Sequence, residues 1–128
     1  MNLLIDTHAF LWFVLNDPQL SVTARRLLTD PANVVFLSPA SYWEIAIKIR
    51  TGKYALSEPF PVFMHREIAL SGLRILHISV DHAAVLTTLP LHHRDPFDRL
   101  LIAQAMVESI PLVSADPAFD AYPVTRLW

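Results

Sequence analysis

DPFDRLLIAQA, residues 95–105, is the stretch on which the reading of this chain turns. Asp95-Pro96 is a helix start: a capping carboxylate, then a proline at the first helical position, where its missing N–H costs nothing. The helix that follows is apolar on nearly every side, through Phe97, Leu100, Leu101, Ile102, Ala103, Ala105, Met106, Val107 and Ile110. Such a helix belongs in a core. At roughly 100° per residue, Asp98 projects along the line of Leu101, Ile102 and Ala105, with Asp95 about 60° away. Two carboxylates thus head a core-facing stripe, where they cost free energy or take up protons unless something positive joins them. The plainer alternative is that Asp95 only caps the helix and Asp98 only favours its dipole.

On either side of this helix, short apolar runs alternate with helical stretches. Residues 2–5, 34–37 and 111–113 read as strands buried on both faces, 73–78 as a looser strand and 124–127 as a last edge strand. Between them, residues 7–15, 21–29, 40–50, 59–71 and 79–89 read as helices, with Ser38-Pro39 a second cap-plus-proline start and Gly52 a stop. A short helical turn follows Asp116-Pro117. Strand–helix alternation of this kind predicts an α/β fold with a central parallel sheet and helices on both faces. Ligands of such sheets bind beyond the carboxyl ends of the strands.

The 128 residues suit one domain with one substantial core. Hydrophobic residues make up 53% of the chain and mean hydropathy is +0.37. No apolar run is long enough to span a bilayer, so no membrane role is expected. The first residues lack the basic segment and cleavage site of a signal peptide, and the expected location is cytoplasmic. The helix over 7–15 is apolar almost all round, which predicts a dimer or partner interface through residues such as Trp12. The absence of cysteine excludes disulfides and thiolate zinc sites. A net charge of −2 excludes a bulk polyanion binder. With only two glycines there is no phosphate-cradling loop.

The acids fall at one edge of the expected sheet. Asp6 ends the first strand and Asp116 follows the 111–113 strand. Glu44 lies early in the helix leaving the second strand, and Asp95 and Asp98 open the buried helix. Each has an ordinary alternative: Asp6 and Asp116 as caps, Glu44 as partner of Ser41 in a capping box or of Lys48 one turn on. Gathered at one edge, however, they repel each other, and a hard divalent cation, Mg²⁺ or Mn²⁺, resolves this. Clustered carboxylates with bound metal suit phosphodiester hydrolysis. Lys48, Arg94, Arg99, His92 and His93 are candidates to position phosphates, and Thr7 and Ser114 to hydrogen-bond carboxylates or metal waters. His8 reads as a donor beside Asp6 or a surface residue, and the His92-His93 pair also reads as a polar loop.

Four segments, LLIDTHAFLW (3–12), SPASYWEIAIKIRTGK (38–53), HRDPFDRLLIAQA (93–105) and LVSADPAF (112–119), in this order and spacing, resemble the PIN-domain family, in particular the VapC-like toxins of type II toxin–antitoxin pairs. The resemblance covers essentially the whole chain. It implies a three-layer α/β/α sandwich, a Mg²⁺- or Mn²⁺-dependent ribonuclease acting on RNA, a homodimer, and a cognate antitoxin that blocks the site. By position, the family's four acids fall on Asp6, Glu44, Asp98 and Asp116. Asp98 is preferred over Asp95 because it directly precedes LLIAQA, which leaves Asp95 as a further metal ligand or a cap. Ser114 stands where the family usually has threonine. Two other classes compete: a haloacid-dehalogenase-like phosphatase, which wants an aspartate where this chain has His8, and a non-catalytic binding module.

Overall fold

A computed structural model describes residues 1–128. Five strands, β1 (Asn2–Ile5), β2 (Val34–Leu37), β3 (Arg74–Ile75), β4 (Leu112–Val113) and β5 (Arg126–Leu127), form one sheet in the order β3-β2-β1-β4-β5. Every pairing is parallel. Helices α1 (Thr7–Val14), α2 (Val22–Thr29), α3 (Pro39–Arg50), α4 (Phe60–Leu70), α5 (Val80–Leu86) and α6 (Pro96–Glu108) connect them, with a 3₁₀ turn over Pro117–Ala121.

The strands lie between two apolar layers, which explains their lack of polar alternation. Leu3, Ile5, Val35, Leu37 and Val113 point to one face, where Phe10, Ala24, Leu28, Ile45 and Met64 of α1 to α4 cover them. Leu4 and Leu112 point to the other, against Leu101, Ile102 and Ala105 of α6, with Phe119 and Tyr122. The result is the expected three-layer α/β/α sandwich. Its central helix, α6, buries Leu101 to Ala105 continuously.

β1 and β2 have the predicted bounds, whereas β3 is far shorter than the 73–78 run. Leu76 still donates its N–H to the Leu37 carbonyl at 3.0 Å, but its own carbonyl accepts from the Gln104 side chain at 2.9 Å. An α6 side chain takes the place of a strand neighbour, and the ladder ends. β4 begins one residue late because Pro111 has no N–H to contribute.

The strand order reverses between β1 and β4, with β2 and β3 to one side and β5 to the other. Open parallel sheets bind ligands at this switch point. Around it, the apolar surplus of α1 is covered in part by the chain itself: Trp12 packs against Trp128 with the rings tilted, centroids 5.8 Å apart, and Tyr54 and Leu56 pack on the same cluster. Leu15 is the residue of this helix's apolar set left open, at 55% exposure. This cover comes from the C-terminus and the loop after α3, and it leaves Leu11 to Val14 half-buried.

Candidate metal centre

All five acids sit at the carboxyl edge of the sheet. Asp6 leaves β1 and caps α1, its Oδ1 accepting the Ala9 N–H at 2.8 Å. Asp116 follows β4 and caps the 3₁₀ turn, its Oδ1 accepting from Ala118 at 2.9 Å. Asp95 caps α6, its Oδ1 accepting from Phe97 at 2.8 Å and Asp98 at 3.3 Å. The capping readings therefore hold for all three. Each cap uses one carboxylate oxygen and leaves the second free of those bonds, so capping does not compete with ligation.

Glu44 lies in the second turn of α3 with its side chain 3% exposed. Its Oε2 accepts from Lys48 Nζ at 2.5 Å. Its Oε1 is buried with no hydrogen-bond partner. The Ser41 capping box does not form: α3 starts on Ser38, and the Ser41 hydroxyl accepts instead from that of Thr7 at 3.0 Å.

The electrostatics tie the acids into one group. Burial pushes the Asp98 carboxyl up to about 8, and the charges of Asp95, Glu44, Asp6 and Asp116 push the same way. Asp6 is also raised, first by burial and then by Asp116, against the lowering effects of the Ser114 hydroxyl, the Ala9 N–H and His8. Burial works against the Lys48 ammonium, but the hydrogen bond and charge of Glu44 outweigh it and raise its pKa.

His93 enters this group. Its Nε2 is 2.9 Å from Asp98 Oδ2 and 3.9 Å from Asp116 Oδ2, although the approach is not aligned as a hydrogen bond. One donor atom each from His93, Asp98 and Asp116 lie within 4.8 Å of one another. The sequence reading left His93 between a phosphate contact and a loop residue. The signal that could have placed it is its position two residues before the capping Asp95, whose N–H reaches His93 Nδ1 at 3.4 Å.

The other predicted residues divide. Thr7 and Ser114 are buried at the strand ends beside the acids, and Ser114 Oγ accepts the Asp116 N–H at 3.0 Å. Lys48 reaches the site through Glu44. Arg94 is exposed. Arg99 turns away: its guanidinium donates to the carbonyls of Leu89 (3.0 Å), Pro90 (2.8 Å) and His93 (3.4 Å), and to the Tyr122 hydroxyl at 3.4 Å. It is a strap for the loop that carries His93.

The donor set fits a hard divalent cation. It is dominated by carboxylate oxygens, which suits Mg²⁺ or Mn²⁺, and the unpartnered buried Oε1 of Glu44 has an acceptor to offer. Asp6 and Asp116 also line a cavity of about 260 Å³ that opens from the acids toward His8 and Trp12.

The fold has known counterparts. The PIN domain family profile matches residues 3–124, and the chain belongs to that family. The haloacid-dehalogenase alternative loses its support with that match. Comparison with curated proteins finds no match. Among solved structures, the chain is similar to one in VapBC2 from Rickettsia felis bound to a DNA fragment from their promoter, with 17% identity, a TM-score of 0.70, and 99% of this chain and 98% of that one covered. VapBC-1 from nontypeable Haemophilus influenzae gives 16% identity, a TM-score of 0.68 and coverage of 99% and 97%. FitAcB from Neisseria gonorrhoeae gives 19%, 0.66, and 98% and 96%. At such identities the likeness is one of fold, and the fold is VapC-like, as the sequence resemblance implies.

Proposed function

We propose that this chain, one PIN-like domain over residues 1–128, is a divalent-cation-dependent endoribonuclease and the toxin half of a toxin–antitoxin pair. In this reading it works in the cytoplasm as a homodimer and is silenced by a cognate antitoxin. The observation that carries the reading is the gathering of Asp6, Glu44, Asp98 and Asp116, from four separate segments of the chain, at the carboxyl edge of the sheet, where burial and the neighbouring acids push the Asp98 carboxyl up. The family match and the VapBC and FitAcB neighbours support the toxin and antitoxin parts. No helix is long and apolar enough to cross a membrane.

Asp6, Glu44, Asp98 and Asp116 hold the Mg²⁺ or Mn²⁺, with Asp95 as cap and fifth acid. When bound, the metal lowers the pKa of a water and offsets charge on the phosphodiester. Thr7 and Ser114 fix the carboxylates by hydrogen bonding. Lys48 pairs with Glu44 and, with Arg94, meets RNA phosphates. Arg99 acts at one remove, by fixing the loop of His93.

The test is Mg²⁺-dependent cleavage of single-stranded RNA by the wild type, Asp6→Asn and Asp98→Asn. Both variants keep their size and the Asp6 cap, and both are expected to lose at least a hundredfold in rate. Wild-type rates in either variant defeat the assignment. Co-purification with the product of a neighbouring small reading frame bearing a DNA-binding head tests the antitoxin.

A further inference from the structure

The cavity beside Asp6 and Asp116 has an aromatic wall that the metal does not need. Its lining is Asp6, His8, Trp12, Ala115 and Asp116, so two carboxylates and two aromatic rings share one opening. The rings are braced. Trp12 is backed by Trp128 at 5.8 Å with an interplanar angle of 59°. His8 leans on Trp12 at 5.8 Å and 39°. Its Nε2 is 3.3 Å from the Tyr54 hydroxyl, which pins an otherwise exposed imidazole. Rings that are already fixed lose little entropy on binding.

None of the five lining residues is lysine or arginine, so a phosphate has no direct partner there. A planar, uncharged group does. Proteins that take single-stranded RNA stack splayed bases on aromatic side chains.

We infer that Trp12, with His8 at its edge, is a stacking platform for the unpaired base next to the phosphodiester held at the acidic centre. This rests on the nuclease reading above and adds to it the residues that would hold the base beside the cut. A base pair in a helix cannot offer its face to a wall, so double-stranded RNA is a poor substrate.

The experiment compares two fluorescein-labelled strands of equal length by anisotropy: a mixed-sequence single-stranded RNA and the same backbone made abasic throughout. Ca²⁺ replaces Mg²⁺ to suppress cleavage. Base stacking on an aromatic side chain is worth about 5- to 150-fold in affinity. Trp12→Ala is expected to weaken RNA binding about tenfold or more, Trp12→Phe to stay within about threefold, and the abasic strand to bind all forms alike. His8→Ala, at an exposed position, carries the test if Trp12→Ala does not fold, with an expected loss of several-fold. RNA affinity blind to both residues overturns the platform while leaving the nuclease reading intact. So does an equal loss for RNA and abasic strand, or a changed oligomeric state with unchanged RNA affinity, which marks the face as a protein interface. A wild type that binds neither strand and cuts no RNA overturns both readings.

Discussion

His93 Nε2 stands 2.9 Å from Asp98 Oδ2, and the two side chains are equally shielded, each 19% exposed. The backbone N–H of Asp95 points at His93 Nδ1. A nitrogen that accepts a hydrogen bond carries no proton, so in the neutral ring the hydrogen sits on Nε2. His93 then faces the acids as a donor rather than as a lone pair. We predict that His93→Ala leaves Mg²⁺ affinity within about threefold, while Asp98→Asn abolishes it. Calorimetric titration of the metal decides this. A hundredfold loss in His93→Ala makes the imidazole a ligand.

The metal-free chain should weaken as pH rises. Asp98 titrates near 8 when folded and near 3.8 when unfolded. Between these values the folded chain holds a proton that the unfolded chain has released. The stability this proton confers is complete below about pH 4 and is lost as pH climbs through about 8. Asp6, also raised, acts in the same direction. In EDTA, unfolding free energy is expected to fall by on the order of 3 kcal/mol between pH 5 and pH 8. Saturating Mg²⁺ restores it, more at pH 8 than at pH 5, because binding stabilises by mass action. Melting curves across this range, with and without Mg²⁺, are the check. A flat or rising profile in EDTA contradicts the clustered charge.

Lys48 is the counter-charge of a nearly inaccessible Glu44. Lys48→Met leaves that carboxylate without any partner, since its Oε1 has none already. The expected cost is about 2–4 kcal/mol in EDTA, the usual penalty for breaking a buried pair from one side. Because the metal supplies positive charge to the same carboxylate, the cost should shrink with Mg²⁺. Adding Glu44→Leu to Lys48→Met should recover most of the metal-free stability while ending activity. Denaturant titration of the three forms measures both effects.

Arg99→Lys is not conservative here. The guanidinium reaches three carbonyls and the Tyr122 hydroxyl at once, which a single ammonium cannot do. We expect a loss of about 1–3 kcal/mol and faster amide exchange over residues 89–95. RNA cleavage should fall with the loosening of His93, without the change in salt dependence that a lost phosphate contact brings. An altered salt slope makes Arg99 a direct RNA contact.

Local chemistry made much of this fold readable. Unbroken apolar runs set β1 and β2, and the Ser38-Pro39 and Asp95-Pro96 pairs set the starts of α3 and α6. Strand order was beyond such reasoning, because nothing in residues 34–37 or 112–113 states which side of β1 each will take. β3 ended early because Gln104, twenty-eight residues away, captured the Leu76 carbonyl. The acids could be placed at one edge from the alternation of elements, while their coupling depends on tertiary packing. Trp12, read as an interface residue, is braced by Trp128 from the far end of the chain, and His93 meets Asp116 only once the chain has folded.

Asp6, Asp95 and Asp116 each start a helical turn with one oxygen and keep the other for the site, so fold and chemistry draw on the same residues. An alanine at any of them removes a cap worth about 0.5–2 kcal/mol along with a charge, whereas asparagine keeps the cap. Descendants that abandon cleavage yet persist as folded proteins should therefore carry Asn at these positions far more often than Ala. The route to an inert relative is a single exchange of oxygen for nitrogen.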